Sequence, residues 1–575
     1  GMLRASGTIS GPLADDLSAR LSGAWFGHDH TMKNLFVPDD SQDMNRYSIR
    51  GQLRYASEET LSVRLILGRF VVDSANTAEF EIDEGLAFAA TNAAFGVPCP
   101  QSSSADRAFC NNHAVVTDLD ASDATLLIDV NRNGYTLSSI SGYEEFDTLR
   151  DFDADQLNID VVNIFDRRAS ESWSQEVRVV SPGDETLEWL GGIFFYRNQF
   201  DRGDSTLPSI VLADDAPLLQ LPNGLPFGQP GDAAIVTSAS KTDHYSIFGS
   251  LSWHANEKLI LTAGARWQRE DKSSVVVNTA NHQTPTLITL VLAPSTANAD
   301  LSRDTEGVSW NLSAQYEWSA NVMTYASASR GFKSGGFNAG FSPTPGTGRE
   351  FEDETVVSYE IGARALLAEN RVRLGAAVFH AEYDDFQAAG FVSLRFRVNN
   401  AEQVSVSGFE LDVAAQIGNG LTASASVSYA DAGYDRYTRG ACYFNRPPDN
   451  ADGTGCVLTG SPLYLAPLWK TWLNVEFERP VSFGVLHTGA DWTWIDQHLT
   501  NATLDPRHVQ GPYSLFNARA GLRIGRFDVY AWIDNIDDRV VVLQEGPTNL
   551  FGNDPASARF LGAPRAYGLT LSMAW

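Results

Sequence analysis

The chain has 575 residues, and 42 Lys plus Arg against 71 Asp plus Glu leave a net charge of −29 and a pI near 4.6. With 43% hydrophobic residues, 20% charged residues and a mean hydropathy of −0.19, a disordered tail, a coiled coil and a helical membrane protein are excluded. No stretch approaches the roughly 20 consecutive apolar residues of a spanning helix, and so acidic a chain lacks the clustered Lys and Arg of a nucleic-acid binder.

Aromatics at 11%, with 13 Trp and 47 Gly, suit an all-β protein. The start, Gly1-Met2-Leu3-Arg4, runs into patterned sequence without a signal peptide. Period-2 alternation then dominates. Leu259, Leu261, Ala263, Ala265 and Trp267 alternate with Lys258, Thr262, Gly264, Arg266 and Gln268, Ile260 being the exception. Trp310, Leu312, Ala314, Tyr316 and Trp318 alternate with Ser309, Asn311, Ser313, Gln315 and Glu317. The same holds for Leu421–Tyr429 against Thr422–Ser428, and for Thr471–Phe477 against Trp472–Glu478. The last strand keeps the pattern: Tyr567, Leu569, Leu571, Met573 and Trp575 share one face, with small or polar residues between them.

Alternation fits a soluble sandwich as well as a membrane barrel, so the connections decide. Short ones fall at 12–15, 57–59, 130–133, 182–185, 256–258, 319–321, 368–370, 418–420, 479–482 and 525–526. Long ones fall between them, among them 74–123, 201–239, 273–303, 435–466 and 540–564. Short turns at one rim and long loops at the other are the signature of a transmembrane antiparallel up-and-down barrel of the outer membrane. A propeller would show a repeat of about 40–45 residues, and none is visible. Strands of about 12–15 residues also exceed the 5–6 usual in soluble sheets.

Several blocks resemble TonB-dependent receptors. These are Gly11-Pro12-Leu13-Ala14-Asp15-Asp16-Leu17-Ser18-Ala19-Arg20, Trp173–Arg178 with Trp189–Phe195, and above all Tyr325–Asn338. Glu354–Gly362, Gly408-Phe409-Glu410, Asp534–Asp538 and Pro564–Gly568 complete the set, in order along nearly the whole chain. The resemblance implies a 22-stranded barrel with a plugged lumen, and uptake of a scarce nutrient energised through TonB. It also implies that Tyr567–Trp575 is the signal read by the barrel assembly machinery. Residues 3–575 read as the barrel domain alone. About ten short turns give about 21 strands, with Leu3–Gly11 standing as the family's second strand. Signal peptide, TonB box, plug and first strand are expected to be missing.

Cys99 with Cys110 and Cys442 with Cys456 each fall inside one long outer loop, and are expected to form disulfides. His28 and His30 share a strand face and could ligate a metal or haem iron; polar rim residues are the plainer reading. Phe332, Lys333 and Phe337 are candidates for ligand contact or for the aromatic girdle and its charged edge. Tyr443, Phe444 and Arg446, inside the second cysteine pair, are comparable candidates. The acidic run Asp118–Asp123 reads as a solvated loop, or as one binding divalent cations that bridge lipopolysaccharide. No phosphate loop, HExxH or GxSxG is present, so no catalytic residue, resident cofactor or metal is expected. The partners implied are outer-membrane lipid and lipopolysaccharide, the assembly machinery, TonB and a small-molecule ligand. An iron–siderophore complex is the default ligand; a carbohydrate, cobalamin or an aromatic compound remain open, as do a passive pore and a surface-binding receptor.

Overall fold

In the computed structural model of the chain, one antiparallel sheet takes up most of the sequence, and no α-helix occurs among the described residues. The structure describes all residues except 30, 31, 36–43, 58, 59, 76–79, 84–106, 110–115, 154–161, 184, 213–230, 281–297, 340–348, 393, 394, 444, 548–556 and 575.

The sheet is a meander in which each long strand pairs with its neighbours in sequence. Its members are β1 (Met2–Ala14), β2 (Leu17–His28), β3 (Met44–Ser57), β4 (Leu61–Ala75), β5 (Val116–Arg132), β6 (Tyr135–Asp153) and β7 (Val162–Val180). There follow β8 (Leu187–Arg202), β9 (Ala233–Asn256), β10 (Leu259–Ala280), β11 (Ala299–Ser319), β12 (Val322–Lys333), β13 (Glu354–Leu367) and β14 (Val372–Val392). The last are β15 (Arg395–Gly418), β16 (Leu421–Arg436), β17 (Trp469–Val481), β18 (Gly484–Ile495), β19 (Tyr513–Ile524), β20 (Phe527–Asp534) and β21 (Ala566–Met573). The three-residue strand Ile210–Leu212, lying against β7 and β9, brings the sheet to 22. Among the described residues β1 pairs only with β2, and β21 only with β20.

The ten short connections lie at one rim, where the turn residues place them. Asn133 and Gly134, Asn419 and Gly420, and Gly525 adopt the left-handed conformations that tight reversals require. The opposite rim carries the long segments. The acidic run Asp118–Asp123, read from the sequence as loop, belongs instead to β5, where Asp118 pairs with Asp73 on one side and Leu149 on the other. Residues 233–239, 273–280 and 299–303 are likewise strand rather than loop. Above the bilayer a ladder still satisfies the backbone, but neither face needs to be apolar, so the alternation fades while the strand continues. The tall β14–β15 hairpin, joined across residues 393–394 alone, escapes a short-then-long rule for the same reason.

Packing is inverted relative to a soluble protein. Ile247, Leu312 and Ile361 are 60%, 53% and 63% exposed on the outward face. Aromatic side chains bound that apolar band above and below. Tyr135 and Tyr143, Tyr245 and Trp253, and Trp310 and Trp318 each stand eight residues apart on one outward-facing row. Buried apolar residues are found instead where outer connections meet, as at Val404, Tyr434, Tyr437, Cys456, Leu458 and Leu504. The terminal strand shows the same orientation, with Tyr567, Leu569, Leu571 and Met573 all exposed outward; Trp575 lies outside the described residues.

Candidate functional site

The inward face alternates with the lipid-facing one, and on β8–β11 it carries a connected polar network. Arg266 lies over the rings of Phe194 (5.2 Å) and Phe248 (5.6 Å), and its Nη2 is 3.2 Å from His244 Nε2. His244 Nδ1 faces Glu270 at 3.3 Å, and Lys272 Nζ is 2.7 Å from the same carboxylate. The ladder register explains this convergence: His244 pairs with Glu270 and Phe248 with Arg266 across β9 and β10. Sequence reasoning missed these residues, although they all sit on the polar side of the alternation.

The Tyr325–Asn338 block runs from β12 into this network. Ser334 Oγ donates to Glu270, and Lys272 Nζ donates to Ser334 Oγ (2.6 Å) and to the Gly335 carbonyl (2.9 Å). The Gly335 N–H donates to Asp353 (2.7 Å), which Arg303 also holds at 2.9 Å. The two glycines are there for space. A Cβ on Gly335 would strike the Phe351 carbonyl and lie 2.9 Å from Arg303 Cζ, while one on Gly336 would lie 2.8 Å from the Phe351 ring. Of the candidates in this block, Phe332 packs its ring beside Gly307, Phe337 pairs its backbone with Glu350, and Lys333 is exposed at the end of β12.

The second set belongs to another outer connection. Cys442 and Cys456 are disulfide-bonded, with Cα atoms 5.1 Å apart, and close a segment that packs onto Val404, Tyr434, Leu458 and Leu504. Arg446 braces this segment, donating to Asp449 and to the Val457 carbonyl, both at 2.8 Å, and lying 5.7 Å from the Tyr443 ring centre. Burial, with a further push from Glu402, raises the Tyr437 hydroxyl to about 12. Next to it the connection 496–512 brings His508 to a second buried group missed from sequence: Glu545, which faces His508 at 3.4 Å and accepts at 2.7 Å from the Nε of Arg559, its ladder partner in the connection after β20. Burial opposes ionisation of Asp505, but hydrogen bonds from Arg507 and the charge of His508 outweigh it and hold the carboxyl below its ordinary range.

Cys99, Cys110, His30 and Phe444 lie outside the described residues. His28 closes β2, with Nδ1 2.6 Å from the Asp29 carbonyl and its ring 5.2 Å from that of Phe26. Among the described residues no group of three His, Cys, Asp or Glu is placed to hold a metal.

Residues 18–536 match the family model described as TonB dependent receptor-like, beta-barrel. The chain belongs to the TonB-dependent receptor family. Its wall is that of a bacterial outer-membrane β-barrel, in a family whose members bind small-molecule ligands and interact with TonB. Among solved structures, the ferric yersiniabactin uptake receptor FyuA from Yersinia pestis is similar with a TM-score of 0.77 at 15% identity, covering 100% of this chain and 78% of that one. The siderophore receptor PiuA from Acinetobacter baumannii gives 0.72 at 12% identity, with coverages of 99% and 79%. The ferric-catecholate import receptor Fiu from E. coli K12, in its closed form, gives 0.71 at 13%, with 100% and 80%. At these identities the likeness is one of fold.

Proposed function

We propose that this TonB-dependent receptor takes up a scarce nutrient, with an iron–siderophore complex as the substrate class. The observation that carries this reading is the pairing of a wide polar lumen with outer connections that have their own packed core and a disulfide. A passive pore needs no such built surface, whereas ligand capture does. The solved relatives named for ferric siderophores support the class, and residues 3–575 act in this reading as the barrel domain. Outer-membrane lipid and lipopolysaccharide surround the wall, and the assembly machinery reads the terminal strand.

Growth and 55Fe uptake under iron limitation test the proposal. Deleting the gene lowers uptake of the cognate complex, and deleting TonB abolishes uptake while leaving surface binding intact. Uptake that persists without TonB would point to a passive pore, and binding without any uptake to a surface receptor.

A further inference from the structure

The outward face of the wall meets lipid, and on β9–β13 it is hollowed. Leu251 and Trp253 on β9 and Tyr359 and Ile361 on β13 stand as banks, between 42% and 63% exposed. Between them Ala263, Ala314, Ala326 and Ala328 leave an apolar furrow of about 670 Å³. The register gathers the short side chains: Ala326 pairs with Ala314, and Ala328 stands between Leu312 and Tyr359.

Along β12 the floor is the outward row Ala326, Ala328, and the next residue of that row is Arg330. Arg330 pairs with Trp310, the outer aromatic position of β11. Ala314, level with Ala326, is midway between Trp310 and Trp318. The furrow therefore runs from headgroup level to the middle of the apolar band, the depth of one leaflet. These positions belong to the Tyr325–Asn338 block, and the polar network on its other face does not account for them.

The outer end of the furrow carries a charge that no carboxylate takes up. Arg330 Nη1 donates to the Val308 carbonyl at 2.5 Å, and among the described residues the guanidinium forms no ion pair. The other cations on the outward rows of β4 and β7–β10 are all paired. Arg69 is held by Asp120, Arg167 by Asp147, Arg197 and Lys241 by Asp243, and Arg269 by Glu306 and Asp271. On the other side of Arg330, Glu382 lies two strands away in register and is hydrogen-bonded to His380 at 3.1 Å. A guanidinium offers five N–H donors in a fork that fits a phosphate. Arg330 thus presents an anion-binding end above an apolar trough.

We propose that this furrow holds one diacyl lipid with a single negative charge, its phosphate on Arg330 and its chains over Ala328 and Ala326. One guanidinium answers one anionic group, and a trough floored by one strand takes one or two chains. A lipid with several phosphates and many chains would bring its further phosphates over Asp271, Glu306 and Glu382. The site lies on the outside of the wall and is indifferent to what the lumen carries.

Native mass spectrometry of the purified full-length protein in detergent tests this, with phosphatidylglycerol, phosphatidylcholine and lipid A as probes. One phosphatidylglycerol is expected to stay bound, more tightly than either other lipid. R330Q is expected to lose about fivefold in phosphatidylglycerol affinity, and R330K to keep most of it. R269Q, whose parent guanidinium is already taken by carboxylates, should change nothing. A326L/A328L fills the trough with apolar side chains that the lipid face tolerates, and should weaken phosphatidylglycerol and phosphatidylcholine alike. Heat-modified gel migration confirms that each variant is folded. Equal binding of phosphatidylglycerol and phosphatidylcholine, or an unchanged R330Q, overturns the proposal. So does a loss in R269Q equal to that in R330Q, which would mean general attraction to anions. Tighter binding of lipid A overturns the choice of a singly charged diacyl occupant. Displacement of the lipid by inorganic phosphate would leave an anion site without a furrow, and overturns it as well.

Discussion

Asn338 treats Val398 as a strand partner. Its side-chain Nδ2 donates to the Val398 carbonyl at 3.0 Å, while its Oδ1 accepts from the Val398 N–H at 2.8 Å. One amide thus mimics a backbone unit and ties the connection after β12 to β15, 60 residues away. Asn338→Ala leaves both backbone groups without that partner, at a cost of about 1–3 kcal/mol. The expected outcome is faster proteolysis within 334–353, with the folded barrel unchanged by heat-modified gel migration. Asn338→Asp keeps the acceptor and loses the donor, so it should fall between.

Gly335 gives a sharper steric test. Gly335→Ala pushes a methyl against the Phe351 carbonyl and Arg303, and overpacking of this kind costs about 1–3 kcal/mol. Gly511→Ala, where nothing lies within 4 Å of the new methyl, should be neutral. Amide exchange over 334–353 in the two variants checks the contrast.

The stapled connection should open as a unit. With Cys456 14 positions after Cys442, loss of the bridge removes roughly 3 kcal/mol of loop-closure stabilisation. Leu458→Ala, at a position only 1% exposed, should cost about 2–5 kcal/mol at the same place. Either change is expected to raise amide exchange over 437–462 without changing barrel unfolding in urea.

The orientation of the wall predicts opposite outcomes at adjacent residues. Leu312→Arg puts a charge on the lipid face and should cost about 2–4 kcal/mol in a bilayer unfolding titration. Ser313→Arg puts the same charge on the lumen side and should change little. A larger penalty at Ser313 would mean that the two faces had been assigned the wrong way round, and equal penalties that they do not differ in environment.

Tyr437 supplies a pH test. Its hydroxyl titrates near 12 in the folded protein against about 10 when exposed. The stabilisation is therefore complete below pH 10, and is lost as the pH rises through the window from 10 to 12. Proteolysis of 437–462 is expected to accelerate across that window in the parent protein, and to do so less in Tyr437→Phe.

The alternation and the turn residues made the wall legible from sequence, because lipid on one side and a wet lumen on the other impose a period of two. Asn419-Gly420 and Asn133-Gly134 announce reversals by their own backbone chemistry. The extents of β5, β9 and β10 were not legible, since no solvent boundary patterns a strand above the bilayer. Of the candidate site, Cys442 and Cys456 could be paired by position. Arg446, a candidate for ligand contact, is also a brace for its own segment, which its position in the sequence does not reveal. The His508–Glu545–Arg559 group left no trace, because His508 comes from a different outer connection, and Glu545 and Arg559 meet only across a short hairpin within theirs.

The eight-residue interval between the aromatic rows carries one more consequence. Eight residues span about 27 Å of strand, which a tilt near 40° reduces to roughly 20 Å of height. So short a hydrophobic belt matches a thin membrane and is mismatched in a thick one. Reconstituted into lipids of increasing chain length, the protein should draw the bilayer inward around itself, then cluster with other copies to share the distorted annulus.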